Sequence, residues 1–557
     1  MPNQFDVVIL GGGLAGLTLS LQLKKANKDI SILILEQRKE AAPTAGHKVG
    51  ESTVELGTHY LREVLGLRDY LDKHQLPKHG LRFFFSPEYK DQIEKRVELG
   101  PRERLPLPSH QIDRGTFEND LIDMSREAGC EIQLGARVKE VQINDELHAV
   151  GYKQSGQDLQ VNSKWVVDAT GRGSFLKRKM GFEKPMEHNI NAAWFRVEGE
   201  IDVDHWSQDT EWNSYLDPGL RRLGTVHLMD TGYWVWLIPL ATGNTSVGIV
   251  ADPRFHPFEE FNTLEKAKTW IAEHEPQASK EIFTPDRKII DFLFLKHYSH
   301  HSGQLYSSDR WAVTGEAGPF LDPFYSPGTD FIGLANTWVA SLITRDLADE
   351  DIFIHARVYE QTHLGIVDNW VPVYLDKYQL MGHSQIMVVK IFWDWAVYWS
   401  FFTLLFTNNA YTDLTVLKQL FGSEDSIGQR LKTLSDNMQK LFIDWVKYDK
   451  EEFHSRYVDP FDLKCLREFH KNMEIKHERN ELISVVENNL EILEQLASQI
   501  FVNVSYLVNN TSDSISVDPY TMDLTMPESI NANGPEIPVQ IQEDVAAMWF
   551  YEKETVS

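Results

Sequence analysis

Cysteine is scarce in this chain: Cys130 and Cys465 are the only two among 557 residues. So far apart, they make neither a disulfide framework nor a metal-ligand spacing, and a reducing cytoplasm is the expected setting. Positive charge is also short. The 55 Lys and Arg face 82 Asp and Glu, a formal charge of -27, which repels phosphate backbones and argues against nucleic acid as a partner. The start, Met1-Pro2-Asn3-Gln4-Phe5-Asp6, lacks a basic segment leading into an apolar one, so no signal peptide is expected. The Asn-x-Ser/Thr matches near Asn503 and Asn509 then carry no glycosylation meaning. No internal repeat is present, and Gly and Pro are too few for a disordered chain. What remains is ordinary globular composition, 42% hydrophobic and 25% charged, long enough for more than one structural unit.

The first informative segment is at the N-terminus. Val7-Val8-Ile9-Leu10 reads as a buried parallel strand. Gly11-Gly12-Gly13-Leu14-Ala15-Gly16 follows in the pattern G-x-G-x-x-G, and a helical pattern runs from Leu14 to Lys25. A second strand, Ile30 to Leu35, is closed by Glu36. Gly11 permits a tight turn, Gly13 lets the backbone approach a pyrophosphate, and Gly16 lets helix and strand pack closely. The helix N-terminus, at Leu14 and Ala15, offers N–H groups and a positive dipole end to phosphate. Glu36 is placed to accept hydrogen bonds from the adenosine ribose. Such a motif serves NAD and FAD alike.

Later segments decide between them. Trp165 to Arg172 is an apolar strand ending in Asp168-Ala169-Thr170-Gly171, and Trp311 to Gly318 ends in Gly315-Glu316. Both resemble the later FAD motifs of the flavoprotein monooxygenase superfamily. The resemblance places Asp168, Gly171 and Glu316 at the cofactor, Glu316 standing where that superfamily usually has Asp. Arg114, in Gln111 to Phe117, looks like its Arg-bearing helix entry, which touches the cofactor.

Two further segments narrow the family. Trp234-Val235-Trp236-Leu237-Ile238-Pro239 is a complete W-x-W-x-I-P, and Phe320 to Gly328 completes F-x-x-P-x-x-S-x-G. With Gly50-Glu51 in Lys48 to Ser52, they make residues 1 to about 400 resemble the flavin-dependent halogenases. The resemblance implies FAD reduced by a separate flavin reductase, a halide ion as co-substrate, and a role in secondary-metabolite biosynthesis. It places Gly50, Glu51 and Gly328 near the flavin, and Tyr325, Ser326, Gly328 and Thr329 on the halide and substrate side. In a strand Trp234, Trp236 and Ile238 share one face. In the family the two tryptophans lie near the flavin and keep organic substrate from it; a core strand whose aromatics merely pack is the plainer alternative. Lys78, in Leu76 to Phe85, matches the family's catalytic lysine, whose ammonium carries hypohalous acid or forms a haloamine. A cation whose pKa falls on burial suits that task.

Two departures bear on substrate and halide. Tyr325 stands where tryptophan-specific members carry a glutamate, which points to a phenol- or pyrrole-like ring. Pro327 has no N–H to offer a halide, leaving Gly328 and Thr329 as donors. Direct oxygen transfer by an aromatic monooxygenase of the same fold is therefore the second reading, and a non-catalytic flavin-binding interaction protein the third. The aromatic substrate is free or delivered by an acyl or peptidyl carrier protein; both stay open.

The expected fold is α/β. An FAD-binding Rossmann-like domain comprises 1–180 and 300–350, with a substrate-side insertion near 76–100. A mostly antiparallel substrate sheet covers 181–299, a helical region 351–505, and a flexible tail 506–557. His297, His300 and His301 read as a solvated loop rather than a metal site. Ile386 to Phe406, dense in aromatics, reads as a buried helix, as an apolar wall or mouth for a lipophilic substrate, or as a docking surface for a carrier or membrane, and its uninterrupted part is too short for a transmembrane span.

Overall fold

The computed structural model describes residues 4–44, 48–85, 88–449, 456–509, 517–524 and 534–550. The first apolar run is the strand Gln4–Leu10, central in an eight-stranded sheet. It pairs in parallel with Gln157–Asp168 on one side and Ile32–Glu36 on the other. Glu131–Leu134 and Trp311–Val313 extend the sheet, again in parallel. Parallel strands are covered on both faces, which is why these read as continuous Val, Ile and Leu. Helix α1 (Leu14–Ala26) leaves the first strand and buries Leu17, Leu19 and Leu23. It lies beside helix Arg114–Glu127, where the Ser20 and Ser125 hydroxyls meet at 3.1 Å.

A second eight-stranded sheet runs in the order Leu293–Leu295, Asn191–Val197, Thr245–Ala251, Tyr233–Pro239, Thr225–Asp230, Leu81–Phe85, Val97–Leu99, Tyr457–Val458. Its strands are antiparallel except for two parallel pairs, one joining Thr225–Asp230 to Leu81–Phe85 and one adding Tyr457–Val458 at the edge. The sheet therefore draws on chain well outside 181–299. On Tyr233–Pro239, Trp234, Trp236 and Ile238 face the core shared with the first sheet. Tyr233, Val235 and Leu237 face a separate core closed by helix Leu264–His274. The strand is apolar on both sides, and period two sorts its residues between two cores.

The remainder is helical. Gly328–Asp346 (α2) and Phe353–Tyr374 (α3) precede Ser384–Thr407 (α4), which is π-helical over Tyr398–Thr403. Among the described residues α4 is long and apolar enough to cross a membrane, yet 83% of that stretch is buried inside the protein. Leu414–Phe421 (α5), Ile427–Trp445 (α6) and Arg479–Asn509 (α7) pack around it.

Two expectations are corrected. The described parts of the expected tail are packed, not free: Val517 is buried, and helix Val539–Ala547 (α8) buries Ile541 and Val545. The Asp544 carboxylate accepts the N–H groups of Lys464 (2.8 Å) and Cys465 (3.1 Å), capping a helix distant in sequence, and Trp549 stacks on Trp445. The short apolar spacing of α8 sits between polar stretches, and its partners are too far along the chain to be foreseen. The histidine loop is likewise held. His300 meets the backbone carbonyls of Tyr298 and Glu316, both at 3.0 Å, and His301 pairs with Asp368. The variant Asp544→Ala should lose about 1–2 kcal/mol, as cap removals do. The check is the urea midpoint, which a segment without contacts would leave unmoved.

Candidate active site

The loop after the first strand leaves no room for side chains. A Cβ on Gly11, whose φ is +106°, would lie 2.4 Å from the Ala169 carbonyl oxygen; one on Gly16 would lie 2.2 Å from that of Gly11. The turn Gly315–Ala317 rests on the same helix start, where a Cβ on Gly315 would meet the Ala15 methyl at 2.8 Å. Gly13 precedes α1, so the N–H groups of Leu14 and Ala15 have no intrahelical acceptor. Glu36 closes its strand beside them, accepting the N–H of Gly12 and of Arg38, each at 2.7 Å. A backbone cradle at a helix N-terminus, with a carboxylate at the tip of the second strand, fits the pyrophosphate and ribose of FAD.

Other predicted cofactor residues hold the loops around this cradle. Asp168 is fully buried and accepts from the Thr170 N–H (2.9 Å) and hydroxyl (2.6 Å) and the Leu176 N–H (2.6 Å). Gly171 takes φ +59° in the turn so formed. Glu316 is half-buried, with Arg172 as its neighbouring charge. Arg114 donates to the carbonyls of Val49 and Gly50 and to Glu118. Glu51 is buried and accepts from Arg196 at 2.8 and 3.0 Å.

Lys78 ends the strand Leu76–Lys78, which pairs with Ser109–Gln111. Its ammonium is buried and donates to the Thr53 carbonyl at 2.7 Å. It borders a cavity of about 560 Å³ that is also lined by Glu55, Tyr325, Pro327 and Asp330. Burial lowers the Lys78 pKa to about 7, although the charges of Glu55 and Asp330 oppose the shift. Burial likewise raises the Asp330 carboxyl to about 7, even though it accepts from the Gly57 N–H and the Tyr398 hydroxyl, each at 2.8 Å. Within the cavity lining, a cation and a carboxylate are thus both brought near neutrality.

The second motif forms the turn beside them. Ser326 adopts φ +61°, and its hydroxyl donates to Ser52 at 3.0 Å. Pro327 caps α2. No heavy atom lies within 4 Å of a Cβ built on Gly328, and Thr329 is buried against Gly57. The first-turn N–H groups of α2 have no intrahelical acceptor. Tyr325 donates to Asp394 at 2.7 Å, and Asp394 is held in turn by Lys390 and Gln439.

Residues 4–244 match the family model described as FAD binding domain. A flavin-dependent halogenase of Dictyostelium discoideum is 27% identical over 431 residues, spanning 72% of this chain and 70% of the relative. A 1H-pyrrole-2-carbonyl peptidyl-carrier-protein brominase of Pseudoalteromonas luteoviolacea is 28% identical over 338 residues, 59% of this chain and 74% of the relative. Over these spans the chain is similar to the flavin-dependent halogenases. Its fold is that of halogenase PltM, whose crystal structure superposes with a TM-score of 0.62 at 16% identity over 88% of this chain and 96% of that one. PltM has also been crystallised with phloroglucinol and FAD.

In this chain Trp234 and Trp236 are not part of the cavity lining. The Trp234 indole donates to the Tyr378 hydroxyl at 3.0 Å and packs edge-on to Phe324; Trp236 donates to Ser246 at 3.1 Å and covers Gly248. Asp330, Glu55 and Tyr398 were not anticipated as a group. The one sequence signal was that Asp330 follows Gly328 by two residues at a helix start, and Glu55 follows Glu51 by four.

Two outcomes follow from this geometry. Gly16→Ala should purify without bound flavin, read from the visible absorbance, because its methyl would collide with backbone. Lys78 is charged below about pH 7 and neutral above it. Asp330→Asn removes an anion that favours the ammonium, so the Lys78 titration should move to lower pH in a side-chain nitrogen NMR titration.

Proposed function

We propose that this protein is a cytoplasmic, reductase-dependent halogenase of an electron-rich, phenol- or pyrrole-like ring. The observation that carries this reading is Lys78, buried at the edge of a mainly apolar cavity with Asp330 and Glu55 in electrostatic reach. Bound reduced FAD, supplied by a separate reductase, would with oxygen and a proton turn halide into hypohalous acid, leaving water and oxidised FAD. Gly328 and Thr329 hold halide through first-turn N–H groups. The Lys78 ammonium then hydrogen-bonds the acid and delivers electrophilic halogen to the ring. Carbon–halogen bond formation breaks the halogen–oxygen bond; Lys78 protonates the departing hydroxide to water. Asp330, with its pKa near 7, accepts the proton lost from the ring carbon. Tyr325, tied to Asp394, fills the place of an acidic group, so the ring must already be activated.

Pro327 favours a second reading, in which a weakened halide site leaves oxygen transfer to the same ring as the reaction. One assay separates the two. The holoenzyme is supplied with reduced flavin, oxygen and a phenol, with and without bromide. Bromide-dependent bromophenol, reduced about a hundredfold or more in Lys78→Ala, is the expected result. A hydroxylated product indifferent to bromide would overturn it.

A further inference from the structure

The cavity that begins at Lys78 is larger than one ring requires. Its volume is about 560 Å³, whereas a cavity of about 150 Å³ already accommodates benzene. The surplus is enclosed by the C-terminal helices. On α3, Val358, Thr362, Ile366, Trp370 and Tyr374 face it at helical spacing, a stripe about 24 Å long at the rise of an α-helix. Tyr374 marks the reactive end, its ring 6.2 Å from that of Tyr325. Val358 marks the other, near the exposed Gln361. Thr362 turns its hydroxyl back to the Val358 carbonyl, so it adds little polarity to the wall.

The opposite wall is aromatic and aliphatic. The π-helical turn of α4 brings Trp399 and Phe402 to the cavity while the Tyr398 hydroxyl stays on Asp330. Leu414 and Leu417 of α5 and Leu431 of α6 continue it outward. Polar side chains other than Lys78 and its carboxylates come from α6, at Lys432, Ser435, Asp436 and Gln439, from Asn369 of α3, and from the exposed Gln361 and Lys418. Against the apolar side chains of α4 and α5 the amides of a carrier's pantetheine arm would go unpaired, which is costly. A hydrocarbon chain meets no such penalty.

We infer that the substrate is an electron-rich ring bearing a long alkyl chain, taken up free rather than on a carrier protein. The ring lies at Lys78, and the chain runs between α3, α4 and α5. This rests on the halogenase reading above. The test uses the holoenzyme with a flavin reductase, NADH and bromide. Its substrates are resorcinol and resorcinols carrying methyl, pentyl and undecyl chains. kcat/KM should rise by up to about fourfold per buried methylene, and calorimetric Kd on the same holoenzyme should fall in step. A Cβ on Gly365 meets no heavy atom within 4 Å. Gly365→Leu therefore inserts a side chain into the channel about 14 Å along α3 from Tyr374. In that variant the ratio of undecyl to resorcinol kcat/KM should collapse.

Bromination of resorcinol with no dependence on chain length would overturn the inference and leave the halogenase reading standing. So would preference for a carrier-bound ring over the free alkylated one. Binding that tightens with chain length but brominates no ring would overturn the halogenase reading and keep the chain site. Loss of both would overturn both.

Discussion

The ion pair between Glu51 and Arg196 is the contact on which the rest of the site hangs. Both groups are buried, and two charges removed from water are tolerated only when each is matched. The extended segment that carries Glu51 must satisfy its other polar groups in the same way. Arg196 takes the Lys48 carbonyl at 2.7 Å, and Arg114 takes those of Val49 and Gly50. Ser52 joins Thr225 of the second sheet to Ser326 before α2. Thr53 exchanges hydrogen bonds with His110 and receives Lys78, and Gly57 donates to Asp330. One strand-like stretch thus ties the nucleotide domain, the second sheet, α2 and the lysine together. Over the buried residues 51–54 the backbone groups have no water as an alternative.

The same dryness sets the chemistry. Burial acts in opposite directions on Lys78 and Asp330, weakening the acid and the base until both lie near neutrality. His227, stacked on Phe83 behind this wall, is buried so completely that its pKa falls to about 3, and it remains neutral. Tyr325 and Asp394 form a parallel arrangement in which the carboxylate is spent on Lys390, Gln439 and the tyrosine itself. At the inner end of the cavity the groups brought near neutrality are therefore Lys78 and Asp330.

Local motifs were readable because their parts are neighbours in the chain. Gly11, Gly13, Gly16 and Glu36 belong to one strand–turn–helix–strand unit, and their spacing is set by backbone geometry. The alternation in Tyr233 to Pro239 correctly separated Trp234 and Trp236 from Val235 and Leu237. Which body each face meets was not local information, and the tryptophans are not among the cavity's lining residues. Asp168 and Arg114 were readable as residues of the cofactor region, but their side chains are used on the loops. The packed α8 escaped notice because its cap and its aromatic partner, Lys464 and Trp445, are about eighty and a hundred residues away.

By itself the chain determined the dinucleotide fold, the parallel sheet, the family resemblance and the candidate lysine, since each rests on short-range periodicity or on motifs in order. Only the tertiary structure decided what surrounds that lysine. Asp330 and Glu55 reach it because α2 begins against residues 55–57, more than 270 positions earlier in sequence. The apolar channel exists because four C-terminal helices close over the same point. Burial, and with it the pKa of every group in the site, is a property of that assembly and of no single segment.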